Sequence, residues 1–300
     1  MDTITLRVGA ASIQLAPALG GAVVRYWTDY SSDRGGAAID WLRPAPAGAL
    51  AHSRPFQMAA FALVPYSNRI RDGRFEFEGR AVVQPLNYPP ERHAIHGHGW
   101  QADWQPVEVQ ADTAVIEYHH PPDAWPWAYR ATQRFALEHD GLGIELTVAN
   151  EGRTAMPAGL GWHPYFLRTP RATLTAAVEA MWQTDREMLP TALVAPRPDA
   201  DPTRGVPVDA SALDNCFTGW SHRAVIDWPE RGARLVMTAE PPLDFLVVFT
   251  PPGRPFFCAE PVSHVTDAFN LAAGGRADTG ARTLAPGESL RAAVRLATEA

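Results

Sequence analysis

The sequence predicts an all-β protein, a large β-sandwich with very little helix. Apolar and polar residues alternate with a period of two along most of the chain, as in strands that bury one face. The 28 prolines are spread through the chain, where they would break most helices but suit turns and edge strands. Short strands at regular spacing, separated by turn residues, are typical of sandwiches and barrels.

Individual strands follow from local patterns. Phe75 and Phe77 alternate with charged residues ahead of a turn at Gly79. Two alternating stretches around residues 135–148 are joined by a turn that contains Asp140-Gly141, which is a strong hairpin signal. Further strands are predicted at 104–109, 115–118, 246–249 and 290–296, and the apolar run 246–249 predicts a strand buried on both faces.

Only residues 55–63 suggest a short helix, which Pro65 would end. The segment 197–209 is rich in Pro and Asp and predicts a long surface loop. Strand patterns continue on both sides of this loop, so it does not mark a domain boundary. We therefore expect a single domain over residues 1–300.

Composition limits the classes of function. Apolar residues make up 46% of the chain and charged residues 20%, which is the balance of a globular protein with a sizeable core. The net charge is −7 without blocks of like charge, so neither nucleic acid nor a membrane surface is an expected partner. No stretch approaches the roughly 20 apolar residues of a spanning helix, and the N-terminus lacks a signal-peptide pattern. We expect a cytoplasmic protein in which Cys216 and Cys258 are reduced.

Two polar segments interrupt the strand pattern in the first third of the chain. Residues 64–73 form a polar turn whose arginines are, in isolation, most simply solvated. Residues 93–100 contain His93, His96 and His98, and the last two would point to the same face of a strand, as metal ligands do. No suitably placed glutamate follows. A histidine that hydrogen-bonds a sugar beside Trp100 fits the same residues.

Two further segments combine aromatic residues with one ionisable group each. His163 is enclosed by Trp, Pro, Tyr and Phe, where an imidazole is kept from bulk water, although a core histidine bonded to a backbone carbonyl is an equal alternative. Glu260 ends an aromatic run, and burying an unpaired carboxylate is costly. It therefore either caps a strand in solvent or has a chemical role. Asp214, in segment 213–217, is a weaker case with a turn as the alternative.

Together these segments resemble the aldose 1-epimerase (galactose mutarotase) family. The resemblance spans about residues 17–297 and implies a galactose mutarotase-like supersandwich. It also implies an enzyme that interconverts the α and β anomers of a free aldose without a cofactor or a metal. Five segments occur in the family's order and approximate spacing: Asn68-Arg69, Ile95-His96-Gly97, 162–166, 213–217 and Glu260-Pro261.

The resemblance assigns roles to three catalytic residues. Glu260 would be the base at the C1 hydroxyl, and His163 the acid at the ring oxygen. His96 would hydrogen-bond the ring oxygen or assist the acid. Such a reaction needs one carboxylate and one imidazole that face neighbouring oxygens, and no group or electron leaves the sugar.

The remaining candidates would bind the substrate, a monosaccharide. By resemblance, Arg69 with Asn68 would orient the sugar and Asp214 would bind its hydroxyls. Trp100 and Trp162 are candidates for a platform under the apolar face of the sugar, and they could equally be core residues. The protein is expected to be a monomer or a homodimer.

Three other functions stay open. A hexose-6-phosphate 1-epimerase has the same fold and chemistry, and Arg69, Arg71 and Arg74 could bind the phosphate. A carbohydrate-binding protein without catalysis is a second alternative, against which the presence of both His163 and Glu260 argues. A metal-dependent enzyme built on the three histidines of segment 93–98 is the third.

Overall fold

The computed structural model describes residues 2–31 and 37–300 of the chain. Strands predominate in this part, and one α-helix, α1 (Ala268–Ala273), lies wholly within it. Six short 3₁₀-helices are also present, at Pro55–Gln57, Arg71–Gly73, Gly99–Gln101, Pro202–Arg204, Val208–Ala210 and Pro229–Arg231. The all-β prediction with very little helix is confirmed. Across the described ranges, no helix has the length and apolar character needed to cross a membrane.

The strands are numbered in chain order: β1 Ile4–Val8, β2 Ala11–Ala16, β3 Ala22–Thr28, β4 Ile39–Asp40, β5 Ala60–Leu63, β6 Arg69–Ile70, β7 Arg74–Phe77, β8 Arg80–Val83, β9 Ala94–Ile95, β10 Gln105–Val109, β11 Thr113–His120, β12 Tyr129–Glu138, β13 Gly141–Asn150, β14 Met156–Ala158, β15 Gly161–Leu167, β16 Thr173–Ala176, β17 Ala180–Thr184, β18 Pro190–Val194, β19 Val206–Pro207, β20 Asp214–Thr218, β21 Arg223–Trp228, β22 Ala233–Ala239, β23 Phe245–Phe249, β24 Phe256–Val262, β25 Arg282–Leu284 and β26 Ser289–Glu299.

Two large antiparallel sheets contain most of these strands. Sheet A has 11 strands in the order β1-β2-β3-β5-β15-β24-β23-β20-β17-β18, with β4 paired to β3. Sheet B has nine strands in the order β10-β11-β12-β13-β26-β22-β21-β16-β19. Three two-stranded sheets, β14-β25, β6-β9 and β7-β8, complete the architecture.

The main hydrophobic core lies between the two large sheets. Strand β12 of sheet B contacts β1 and β2 of sheet A, and buried residues of both sheets, such as Leu15 and Phe135, belong to one cluster. The alternation of buried and less buried residues along β12 and β13 shows that sheet B covers the core with one face. This burial pattern, with two sheets packed around one core, confirms the predicted β-sandwich.

Sheet A, in contrast, is covered on both faces. On β15, Trp162 and Phe166 belong to the main core, whereas Tyr165 belongs to a second hydrophobic cluster. On β23, Val248 and Val247 divide between the two clusters in the same way. Because neighbouring residues of a strand point to opposite faces, the second cluster lies on the outer face of sheet A. Residues that face outward from the centre of this sheet are therefore shielded from bulk water.

Several local predictions are confirmed and one is wrong. The hairpin at Asp140-Gly141, the strand at 246–249 and the closing strand correspond to β12–β13, β23 and β26. The helix predicted over 55–63 is wrong, since only Pro55–Gln57 is helical and Ala60–Leu63 is a buried central strand. Asp214 lies at the start of β20, between β23 and β17, and not in a turn. At residues 60–63, pairing with neighbouring strands outweighs local propensity, and at Asp214 the strand removes the alternative of a turn.

Candidate active site

A cavity of about 560 Å³ opens on the outer face of sheet A. Its size lies within the usual range of small-molecule sites, roughly 300–1,000 Å³. Seven of the eight residues that the sequence singled out line it: Asn68, Arg69, His96, Trp100, His163, Asp214 and Glu260.

His163 and Glu260 form a close pair in the wall of the cavity. They lie on the neighbouring strands β15 and β24, whose register sets Tyr165 opposite Cys258 and Gly161 opposite Val262. This register brings Nε2 of His163 to 3.3 Å from Oε1 of Glu260. The Glu260 side chain is only 3% exposed, so it is not a solvent-facing strand cap.

Both members of this pair have one polar atom without a partner. Nδ1 of His163 and Oε2 of Glu260 are buried, and neither has a hydrogen-bond partner in another residue. A contact between the imidazole of His163 and its own backbone raises the pKa of the ring and in part offsets the effect of burial. His163 is therefore not a core histidine satisfied by a neighbouring backbone carbonyl. Unpaired buried polar atoms are costly, and a catalytic role or a bound polar partner is one explanation of such atoms in a cavity wall.

Burial controls the ionisation of the pair. Loss of hydration, followed by the nearby charge of Asp214, raises the pKa of Glu260 well above its ordinary value. Loss of hydration, together with the positive charge of Arg43, lowers the pKa of His163 to about 3. Between these two pKa values, the pair holds one proton and carries no net charge.

His96 is oriented by the main chain of the Asn68 segment. The backbone N–H of Asn68 donates to Nδ1 of His96 at 3.1 Å, and the N–H of His96 donates to the carbonyl of Asn68 at 3.0 Å. Burial, then the proximity of His163 and Arg69, lowers the pKa of His96 well below its ordinary value. Since Nδ1 accepts a hydrogen bond, the neutral ring carries its proton on Nε2. His96 is thus a fixed neutral donor in the cavity wall.

Arg69 lies between two carboxylates. Its Nε is 3.0 Å from Oε2 of Glu91, and its Nη2 is 3.5 Å from Oδ2 of Asp214. Nη1 also donates to Oδ1 of Asn68 at 3.3 Å. This arrangement fixes the guanidinium and compensates its positive charge.

The two tryptophan candidates have different surroundings. Trp100 lines the cavity and stacks on Phe61 with 5.6 Å between ring centroids. Trp162 precedes His163 on β15 and therefore points to the opposite face, into the main core. Trp162 is therefore a core residue and does not line the cavity, so it is not part of a platform for the sugar.

The three histidines of segment 93–98 do not converge. Nδ1 of His93 accepts from the backbone N–H of Asp72, and His98 bonds the Tyr129 hydroxyl and the Gln84 side chain. Of the three, only His96 lines the cavity. The metal site suggested by their spacing is therefore not formed by these residues.

Two other groups in the described residues bring three metal-ligating atoms within 4.8 Å of one another: His98, His120 and Asp123, and His163, Cys258 and Glu260. In the first, the two imidazoles stack in parallel at 4.4 Å, so their in-plane lone pairs do not converge on one ion. The second is fully buried and contains His163 and Glu260, the pair described above.

The arginines considered for phosphate binding do not gather at the cavity. Arg71 lies 3.7 Å from Asp267, Arg74 is solvent-exposed, and neither lines the cavity. Arg69 does line it, between its two carboxylates. This arginine cluster is not formed.

The residues of the site that were not predicted from the sequence include Arg43, Glu91 and Tyr165. Tyr165 could have been found, since it lies two residues after His163 on the same strand and thus on the same face. Arg43 and Glu91 lie in irregular segments, and no local pattern indicates their positions.

His264 supports the site from behind and makes stability depend on pH. Its Nε2 accepts from the N–H of Ser67 at 3.0 Å, and its Nδ1 donates to the carbonyl of Val265 at 2.8 Å. Burial lowers its pKa to about 4. Between the ordinary value of about 6.5 and this pKa, the unfolded chain binds a proton that the folded chain does not. Folded stability is therefore lost as pH falls through this window.

We expect the temperature of the unfolding midpoint to decrease as the pH is lowered from 6.5 to 4. In the His264→Gln variant this decrease should be smaller. Midpoints measured at closely spaced pH values, compared as slopes, test this. Equal slopes for the parent and the variant would show that His264 does not contribute.

Comparisons with known proteins agree with this architecture. The chain matches the family model described as aldose 1-epimerase over residues 2–297. It is 29% identical over 307 residues to YphB of Escherichia coli K12, an uncharacterized protein, with 100% of this chain and 99% of YphB covered. Among solved structures, a provisionally named aldose 1-epimerase from E. coli K12 superposes with a TM-score of 0.88 at 29% identity, over 99% of each chain. A galactose 1-epimerase from Lactobacillus acidophilus NCFM superposes with a TM-score of 0.78 at 15% identity, covering 99% of this chain and 94% of that one.

Proposed function

The chain belongs to the aldose 1-epimerase family, and on that basis we propose that it interconverts the α and β anomers of a free aldose by acid–base ring opening and reclosure. The observation that carries the proposal is the buried pair of His163 and Glu260, 3.3 Å apart in the cavity wall. Ring opening moves protons at two oxygens bonded to the same carbon, C1. An acid and a base this close can each address one of them.

The pair already holds the single proton that the reaction needs. When the C1 hydroxyl donates to Oε2 of Glu260, it supplies the partner that this atom lacks and stabilises the carboxylate. The proton of the pair then resides on His163, which donates it to the ring oxygen as Glu260 accepts the hydroxyl proton. The C1–O bond to the ring oxygen breaks, the aldehyde turns, and reclosure reverses both transfers. Each placed proton-transfer group typically contributes about 10²- to 10⁴-fold.

The neighbouring residues would hold the sugar in place. His96 presents a neutral Nε2–H that can donate to the ring oxygen, and this bond strengthens as negative charge develops there. Arg69, fixed by Glu91, and Asp214 can bind the sugar hydroxyls. Trp100 offers an aromatic wall for the apolar face of the ring.

The alternatives have less support. A hexose-6-phosphate substrate would need a cluster of cations. Arg71 and Arg74, considered for this role, lie away from the cavity, and the arginines that do line it are Arg43, Arg69 and Arg254. A binding protein without catalysis would not need two buried ionisable groups with unpaired atoms.

Polarimetry tests the proposed function. The protein should accelerate the decay of optical rotation of freshly dissolved α-galactose, α-glucose, xylose or arabinose at catalytic concentration. Glucose 6-phosphate, followed in parallel, is expected to respond less. A response to glucose 6-phosphate alone would favour the phosphate enzyme, and no response from any sugar would favour the binding protein.

A further inference from the structure

We infer that Arg43 is a positioning residue for the imidazole of His163, acting through the ring of Tyr165. This inference rests on the proposed function, since it concerns the acid of that reaction. Arg43 lines the cavity, but its guanidinium is directed to protein groups that hold it in one orientation.

The imidazole of His163 is held mainly by ring contacts. Catalytic histidines are commonly oriented by a hydrogen bond at the nitrogen that does not react. In His163 this nitrogen, Nδ1, is buried and makes no hydrogen bond to another residue. The ring instead stacks on Tyr165 at 4.7 Å with an interplanar angle of 14°, and contacts Phe61 at 4.7 Å. The direction of Nε2 toward the ring oxygen therefore depends on where the Tyr165 ring lies.

Arg43 in turn fixes the ring of Tyr165. Its guanidinium carbon lies 4.7 Å from the centroid of that ring, and Phe256 contacts the same ring edge-on at 5.0 Å. The backbone N–H of Arg43 also donates to the carbonyl of Tyr165 at 2.7 Å. Main chain and side chain of Arg43 thus both contact Tyr165.

Backbone carbonyls hold the guanidinium itself. Nη1 donates to the carbonyl of Gln57 at 2.6 Å, and Nη2 donates to that of Met58 at 2.8 Å. These carbonyls lie two and three residues before the start of β5, the strand paired with β15 at His163. Within the described ranges Arg43 makes no ion pair, so its charge is not cancelled by a carboxylate. A planar, forked cation is needed to stack and donate at once, which lysine cannot do.

The charge of Arg43 has a second effect, on ionisation. It is one of the causes that lower the pKa of His163, after burial. Removing the charge should raise the pKa of His163. The form in which His163 and Glu260 are both protonated has no base, and it would then be populated at higher pH. The acid limb of the rate profile should therefore move to higher pH.

Two substitutions separate stacking from charge. Arg43→Met removes both, and Arg43→Lys keeps the charge but loses the planar stack. We expect kcat to fall roughly 10- to 100-fold in both variants, because a misplaced acid is inefficient, with KM little changed. The acid limb should move to higher pH in Arg43→Met and stay near that of the parent in Arg43→Lys.

Arg231→Met is the matched control. Arg231 is also a partly buried guanidinium, 5.7 Å from the centroid of the Trp228 ring and bonded to the backbone carbonyl of Asp40 at 3.1 Å, but it does not line the cavity. This variant should lose thermal stability on the scale of the Arg43 variants without a change in kcat or in the acid limb.

The outcomes distinguish the two proposals. A parent protein without activity on any aldose overturns the proposed function. An active parent together with a folded Arg43→Met variant that keeps its kcat and its acid limb overturns the role of Arg43. An effect confined to KM, seen only with aldoses that carry a carboxylate or phosphate, would also overturn it and make Arg43 a substrate ligand.

Discussion

Glu260→Gln is expected to lower kcat by about 10²-fold or more and, at the same time, to stabilise the folded protein at neutral pH. The amide keeps the shape of the side chain but cannot accept the C1 hydroxyl proton, so the base is lost. Substrate affinity should change only modestly, because the residues that bind the hydroxyls stay in place. Initial rates by polarimetry and midpoints by thermal unfolding measure the two effects.

The stability effect has a defined pH dependence. The pKa of Glu260 is raised in the folded state, so above the unfolded value of about 4.3 the folded chain holds a proton that the unfolded chain releases. Each pH unit between the two pKa values then costs the parent about 1.4 kcal/mol. The stability advantage of Glu260→Gln should be smallest near pH 4.5 and grow as pH rises.

His163→Asn provides the companion measurement. It should lower kcat as Glu260→Gln does, and the double variant should lose less than the product of the single effects, since one proton relay is broken either way. A folded Glu260→Gln protein that turns over within a few-fold of the parent would contradict the assignment of Glu260 as the base.

Gly97→Ala should impair both folding and activity. Gly97 has a φ of +67°, and a Cβ there would lie 2.2 Å from the carbonyl oxygen of Val64. That oxygen already accepts hydrogen bonds from the N–H groups of His98 and Gly99, both at 3.0 Å, so it cannot move away freely. We expect a loss of about 2–5 kcal/mol in the free energy of unfolding, from backbone strain and overpacking together. Displacement of the adjacent His96 should also lower kcat.

Gly79→Ala is the control for backbone strain alone. Gly79 has a φ of +76°, but a Cβ there would meet nothing within 4 Å. It should cost about 1–2 kcal/mol and leave kcat unchanged. Equal losses in the two variants, measured by chemical denaturation, would show that the contact with Val64 is unimportant.

The sequence predicts those parts of the fold that local patterns determine. The β12–β13 hairpin follows from alternation on both sides of Asp140-Gly141. The strand β5 does not, because Ala60–Leu63 has no polar face and its conformation depends on pairing with β3 and β15. A run that is buried on both faces has no periodicity by which to recognise it.

The candidate site likewise combines residues that local patterns indicate with residues that only tertiary contacts bring together. The aromatic segments make His163 and Glu260 candidates with open alternatives. Only the resemblance to the aldose 1-epimerase family assigns them to the site. The sequence does not decide whether Trp162 points to the cavity or to the core, because this depends on which face of β15 meets the core. Arg43 and Glu91 act through tertiary contacts with Tyr165 and Arg69, which nothing in their own segments encodes.

The left-handed conformations of Asn68 and His96, with φ of 58° and 62°, lie at the two ends of one reciprocal pair of hydrogen bonds. Through these hydrogen bonds the main chain selects the tautomer of His96, so the orientation of its N–H dipole in the cavity wall is set before any ligand binds. In a reaction that creates charge transiently, such a dipole needs no reorganisation in the transition state. The conformational cost is met once, when the protein folds, and is not repeated in each turnover.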